Sequence, residues 1–114
     1  MNSQEVKKRI EAAYTLLQQE TTTREKFESI RTLIKGINPQ LDKQLTRVSG
    51  ALSDVEKLQK GQVIELSAEH LPDRTEEDKR RKRALLLLIK SWRQLHSEVE
   101  RVKMTPPPAL LMEV

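Results

Sequence analysis

The sequence predicts an all-α protein, an antiparallel three-helix bundle with long helices. Three observations carry that prediction. Gln, Glu, Lys, Arg and Leu dominate the composition, while there is only one Trp, one Tyr, one Phe and three Gly. A β-sandwich needs more aromatic and β-branched residues and more turn glycines. Apolar residues recur at spacings of three and four over most of the chain, the period of a helix face. The strong breaks are confined to two places, "KGINPQL" at 35–41 and the stretch 61–74. With 114 residues, 36% apolar and 33% charged, the chain is long enough for one domain, whose thin core is built from Leu, Ile and Val.

The first helix is expected over 3–35. Val6, Ile10, Ala13 and Leu17 form one stripe, and Phe27, Ile30 and Ile34 continue an apolar face. Thr21-Thr22-Thr23 lies between them. Thr22 and Glu25 fit a capping box that would restart a helix. Threonine inside a long helix costs little, however, so one helix distorted at the threonines is expected. In "KGINPQL", Gly36 suits a left-handed helix end, Asn38 an N-cap and Pro39 the first helical position.

The second helix, 39–60, carries Leu41, Leu45, Val48, Leu52 and Val55 as a narrow seam and ends at Gly61. Residues 62–74 read as a long, partly packed connection broken by Pro72. Thr75 caps a third helix over 76–104, with Glu76, Glu77 and Asp78 at the favourable end of its dipole. Its seam is Leu85, Leu88, Trp92, Leu95, Val99 and Val102. Leu85 to Ile89 are five aliphatics in a row, which span more than one face. That segment is expected to lie between two helices or under a partner. The domain is thus expected to cover 3–104. "TPPPALLMEV", 105–114, reads as a Pro-rich flexible tail.

The formal net charge is +4. Five cations, Lys79 to Arg83, stand in a row, and removing them takes the charge from +4 to −1. One local patch therefore makes the chain basic, which suits a docking site better than a nucleic-acid coat. No stacking aromatic lies near it, so nucleic acid is not the expected partner. Local ion pairing is the competing explanation. Glu76–Arg80, Glu77–Arg81 and Asp78–Lys82 are pairs at i,i+4, each worth about 0.2–0.5 kcal/mol. Lys79 and Arg83 have no such acid, and cations in the first turns oppose the helix dipole.

There is no Cys, which excludes disulfides, thiol catalysis and Cys-based zinc sites. His70 and His96 are far apart without ligand spacing. No phosphate loop or nucleophile–base order is present, so neither an enzyme nor a cofactor or metal is expected, nor a small-molecule substrate. No signal-peptide core opens the chain. The longest strictly apolar run, Ala84 to Ile89, falls far short of the roughly 20 residues that span a bilayer. A membrane partner is not expected. A cytoplasmic protein is, with "KRRKR" leaving a nuclear location open.

The order of segments resembles the BAG domain family. The resemblance covers about residues 4–103. It rests on "GINP" between the first two helices and on "HLPDRTEEDKRRKRALLLLIKSW", an L-P followed by a basic third helix. It implies a cochaperone that binds the nucleotide-binding domain of a heat-shock 70 kDa (DnaK-type) chaperone and promotes nucleotide exchange. It also implies that the last two helices carry the contact surface. The family's Arg-Lys pair falls on Lys82 and Arg83, in swapped order, with Lys79 beside them. Lys90 stands where the family has Gln. Asp54 and Glu56 are the nearest acids on the second helix. Two other readings stay open: a helical scaffold or adaptor that pairs with other helices, and a nuclear or nucleic-acid-binding domain using 79–83.

Overall fold

The computed structural model describes residues 3–59, 61–69 and 71–104. The expected tail, 105–114, and His70 lie outside the described residues. The protein is mostly helical, with four helices and one small two-stranded sheet. In order, these are α1 (Ser3–Leu17), β1 (Thr21–Thr22), α2 (Arg24–Ile34), α3 (Pro39–Leu58), β2 (Ile64–Glu65) and α4 (Glu76–Met104). α1 packs on α2, α2 on α3 and α3 on α4, and α4 closes the ring against α1.

The single first helix expected over 3–35 is therefore two helices. The Trp92 indole N–H donates to the Leu17 carbonyl at 3.1 Å, which satisfies an acceptor at the end of α1. Thr21 and Thr22, stiff at χ1, take extended backbone instead of helix. They pair antiparallel with Glu65 and Ile64, respectively. Leu66 N–H extends the pairing by donating to Glu20 O at 2.8 Å. The cap that restarts the chain is Thr23, one residue later than the expected capping box. Its hydroxyl accepts from Lys26 N–H at 3.0 Å. Tertiary pairing with the 61–74 connection thus outweighs the mild helix tolerance of threonine.

The other boundaries follow the sequence signals closely. Gly36 takes φ +84, the left-handed conformation that leaves α2, and its N–H donates to the Asp42 carboxylate at 2.9 Å. Asn38 caps α3 through Leu41 N–H at 2.8 Å, with Pro39 in the first turn. The 61–74 connection is partly packed, as expected: Ile64 is buried, and Leu66, Ala68 and Leu71 rest on the core. Every residue of the two predicted seams is buried. No helix among the described residues is long and apolar enough to cross a membrane.

Five consecutive aliphatics begin at Leu85, and the helix divides them. Leu85, Leu88 and Ile89 are buried between α3 and α1. Leu86 and Leu87 point out, 48% and 54% exposed. A helix turns about 100° per residue, so five adjacent side chains cannot share one face.

Candidate functional site

The site starts at the N-terminus of α4. Thr75 Oγ1 accepts from Asp78 N–H at 3.0 Å, and the Asp78 carboxylate accepts from Thr75 N–H at 3.2 Å. Arg74 N–H adds a longer contact to the same carboxylate, at 3.4 Å. This is a reciprocal capping box with Asp in place of Glu. The Thr75 amide, helped by that of Arg74, holds the Asp78 carboxyl below the usual carboxylate range. Four backbone donors lack partners at a helix start, and this arrangement fixes where the cations that follow must point.

Asp78 is committed to the cap, so the expected Asp78–Lys82 pair does not form. Lys82 lies 3.8 Å from Asp73 instead. Glu76 sits 3.8 Å from Lys79 rather than on Arg80. Of the three expected pairs only Glu77–Arg81 forms, at 2.6 Å. These are solvent-exposed contacts, worth well under about 1 kcal/mol each. Among the described residues Arg80 and Arg83 make no ion pair.

Stepping four and three along α4 from Lys79 passes through Arg83, Leu86, Lys90, Arg93 and Ser97. These residues form a single stripe on the solvent face. Lys82 flanks it. The four cations singled out on the third helix, Lys79, Lys82, Arg83 and Lys90, thus share one face, about 21 Å long from Lys79 to Arg93. Arg93 belongs to the same row. It escaped the sequence reading because it stands alone, although its spacing from Lys90 was visible. Lys90 and Arg93 also lack ion-pair partners among the described residues, whereas Arg101, further along, is held by Glu98 at 2.5 Å. Lys90, Arg93, Leu86 and Ser97 line a shallow depression with Gln44 of α3. The Gln44 Oε1 atom is buried there with no hydrogen-bond partner.

Asp54 and Glu56 of α3 are not brought together. Glu56 faces α2, where its carboxylate receives Arg24 Nη2 at 2.5 Å and Nε at 3.2 Å. Arg24 Nη2 also donates to Ser53 Oγ at 2.9 Å. This network ties the start of α2 to the end of α3, and Glu56 pushes the Arg24 pKa further up. Asp54 lies on the other flank of the buried α3 row from Glu56. It is exposed and makes no ion pair among the described residues.

Elsewhere the chemistry is structural. His96 stacks on Tyr14 with ring centroids 5.0 Å apart, and Lys103 Nζ lies 4.3 Å from the Tyr14 centroid. A hollow of about 400 Å³ between Val55, Leu58, Leu71 and Leu85 has Arg81 at its rim, but Glu77 already occupies that guanidinium. Among the described residues no group of three or more His, Cys, Asp or Glu is placed to hold a metal ion. The fold and this face define a helical protein with an exposed, basic and partly apolar helix surface. Comparison with protein-family models, curated proteins and solved structures finds no match to the chain.

Proposed function

We propose that the protein is a cochaperone that docks on the nucleotide-binding domain of a DnaK-type chaperone and promotes nucleotide release. The observation that carries this reading is the shared solvent face of Lys79, Lys82, Arg83 and Lys90 on α4. The resemblance to BAG domains places the partner contact on the last two long helices. Here those helices are α3 and α4, which run antiparallel: the end of α3 meets the start of α4 at Val55 and Leu85, and Gln44 lies beside Lys90 and Ser97. The division of the first segment into α1 and α2 departs from that family's pattern, and the break lies beside the far end of the α4 row, where Gln18, Gln19 and Glu20 line a hollow with Arg93. Glu56 is withdrawn from the contact set, because Arg24 holds it on the α2 side. Asp54 stays in the set.

The mechanism would be differential binding. A rigid helix pair that fits the open form of a nucleotide cleft better than the closed form shifts the equilibrium toward opening, and nucleotide leaves faster. By linkage, nucleotide weakens docking by the same factor.

The test is a double variant measured with a purified DnaK-type nucleotide-binding domain. Lys82→Ala combined with Arg83→Ala should weaken binding by about tenfold or more, with helicity unchanged. Added salt should weaken the wild type, since exposed charges are screened. Release of a fluorescent ADP analogue should accelerate with the wild type and not with the variant. If the wild type binds no such domain, the cochaperone reading fails and a helical scaffold takes its place.

A further inference from the structure

The α4 stripe holds more than charge. Leu86 lies in the middle of it and Leu87 beside it, each about half exposed, with Arg83 one turn before and Lys90 and Arg93 one and two turns after. Nothing in the bundle needs large apolar side chains there, because the inward seam of the same helix is already complete. We infer that Leu86 and Leu87 are the apolar anchors of this face and that the surface they fit is an acidic amphipathic helix of a partner protein. The inference rests on the reading of α4 as the docking helix, and it specifies what that helix recognises.

Three considerations select this occupant. A polyanion such as nucleic acid gains nothing from two leucines, and the stripe offers no aromatic ring for a base to stack on. An anionic membrane surface calls for a broad apolar helix face, usually with aromatics. The broad apolar face of α4 is spent in the core, since Leu85, Leu88, Trp92, Leu95, Val99 and Val102 are all buried. An apolar centre with a charged rim, by contrast, is the anatomy of a protein interface. The rim sets the sign of the partner: among the described residues Arg83, Lys90 and Arg93 make no ion pair, and the Glu98 carboxylate nearby is held by Arg101. The shape sets its form. The shallow depression between Gln44 on α3 and Leu86, Lys90, Arg93 and Ser97 on α4 is open along the helix, and a helix lying in it reads an i, i+3, i+4, i+7 pattern.

The experiment uses the full chain and a synthetic helical peptide with leucines one turn apart between glutamates, labelled for anisotropy. A peptide of the same composition in scrambled order serves as control. The wild type should prefer the patterned peptide. Leu86→Ser combined with Leu87→Ser should weaken that binding by about tenfold while lowering the melting temperature by no more than a few degrees. Arg93→Ala should weaken it several-fold, with a reduced dependence on salt. Equal binding of the two peptides, or equal binding by the leucine variant, overturns the inference. So does binding to phosphatidylserine vesicles without binding to the patterned peptide. The same variants on the DnaK-type domain separate the two readings. If the domain does not bind but the peptide results hold, the cochaperone reading is lost and this inference stands. If the domain binds wild type and leucine variant equally, the cochaperone reading stands and the anchors are lost.

Discussion

The two faces of α4 are built from neighbouring residues and do opposite things. Leu88 is completely buried, while Leu87, one residue earlier, is 54% exposed. The inward row locks α4 between α3 and α1. The outward row, from Lys79 through Leu86 to Arg93, is exposed, and its one ion pair among the described residues is Lys79–Glu76 within α4 itself. The contrast shows that hydrophobicity alone does not assign a residue to the core, because the helical step decides which of five adjacent aliphatics is covered. It also means that the proposed recognition face can be altered without touching the core row on the same helix.

The hardest blow to the inward face is Leu88→Asp. A charge would be buried without a partner, at a cost above about 4 kcal/mol, enough to unfold a domain of this size. Circular dichroism should then show no cooperative melt, and an unchanged melt would place Leu88 outside the core. Trp92→Phe is the next largest. It keeps most of the packing but strands the Leu17 carbonyl, and should cost about 1–3 kcal/mol in urea unfolding.

Thr75→Ala tests the cap that aims the outward row and should cost about 1 kcal/mol. The same cap responds to acid. The folded Asp78 carboxyl is held below its ordinary range, so its contribution is present above about pH 4 and is lost as pH falls below that. Amide exchange in the first turn of α4, corrected for intrinsic rate, should lose protection on acidification in the wild type. It should show much less of that change in Asp78→Asn, which cannot titrate at that position. The smallest effect belongs to the outward face. Leu86→Ser with Leu87→Ser should change stability by no more than about 0.5 kcal/mol. A larger loss would show that these side chains serve the core, which would erase the distinction between the two faces.

Much of this was readable from spacing. Gly36, Asn38 and Pro39 marked the α2–α3 turn, Thr75 marked the start of α4, and both long seams are buried as their periodicity required. The break between α1 and α2 was only hinted at, by the capping-box pattern at Thr22 and Glu25, and local propensity outweighed it. The break depends on contacts with Ile64, Glu65 and Trp92, residues remote in sequence, and local propensity at Thr21 and Thr22 carries no record of them. The cations show the same limit. Their common face followed from spacing, but the loss of the Asp78–Lys82 pair depended on Asp78 having a better use in the cap. Glu56 and Asp54 looked equivalent two residues apart. Only the position of Arg24 on the neighbouring helix separates them.

The bond from the Trp92 indole to the Leu17 carbonyl also makes the molecule its own optical probe. Trp92 is the only tryptophan in the chain, and it sits where α1 meets α4. Its emission therefore reports on a single junction. Undocking of α1 would admit water to the indole and shift the emission to the red, whereas binding events along Lys79 to Lys90 should leave it unshifted unless they are transmitted through the helix. Unlabelled protein can thus distinguish a partner that merely settles on the surface from one that pries the bundle open.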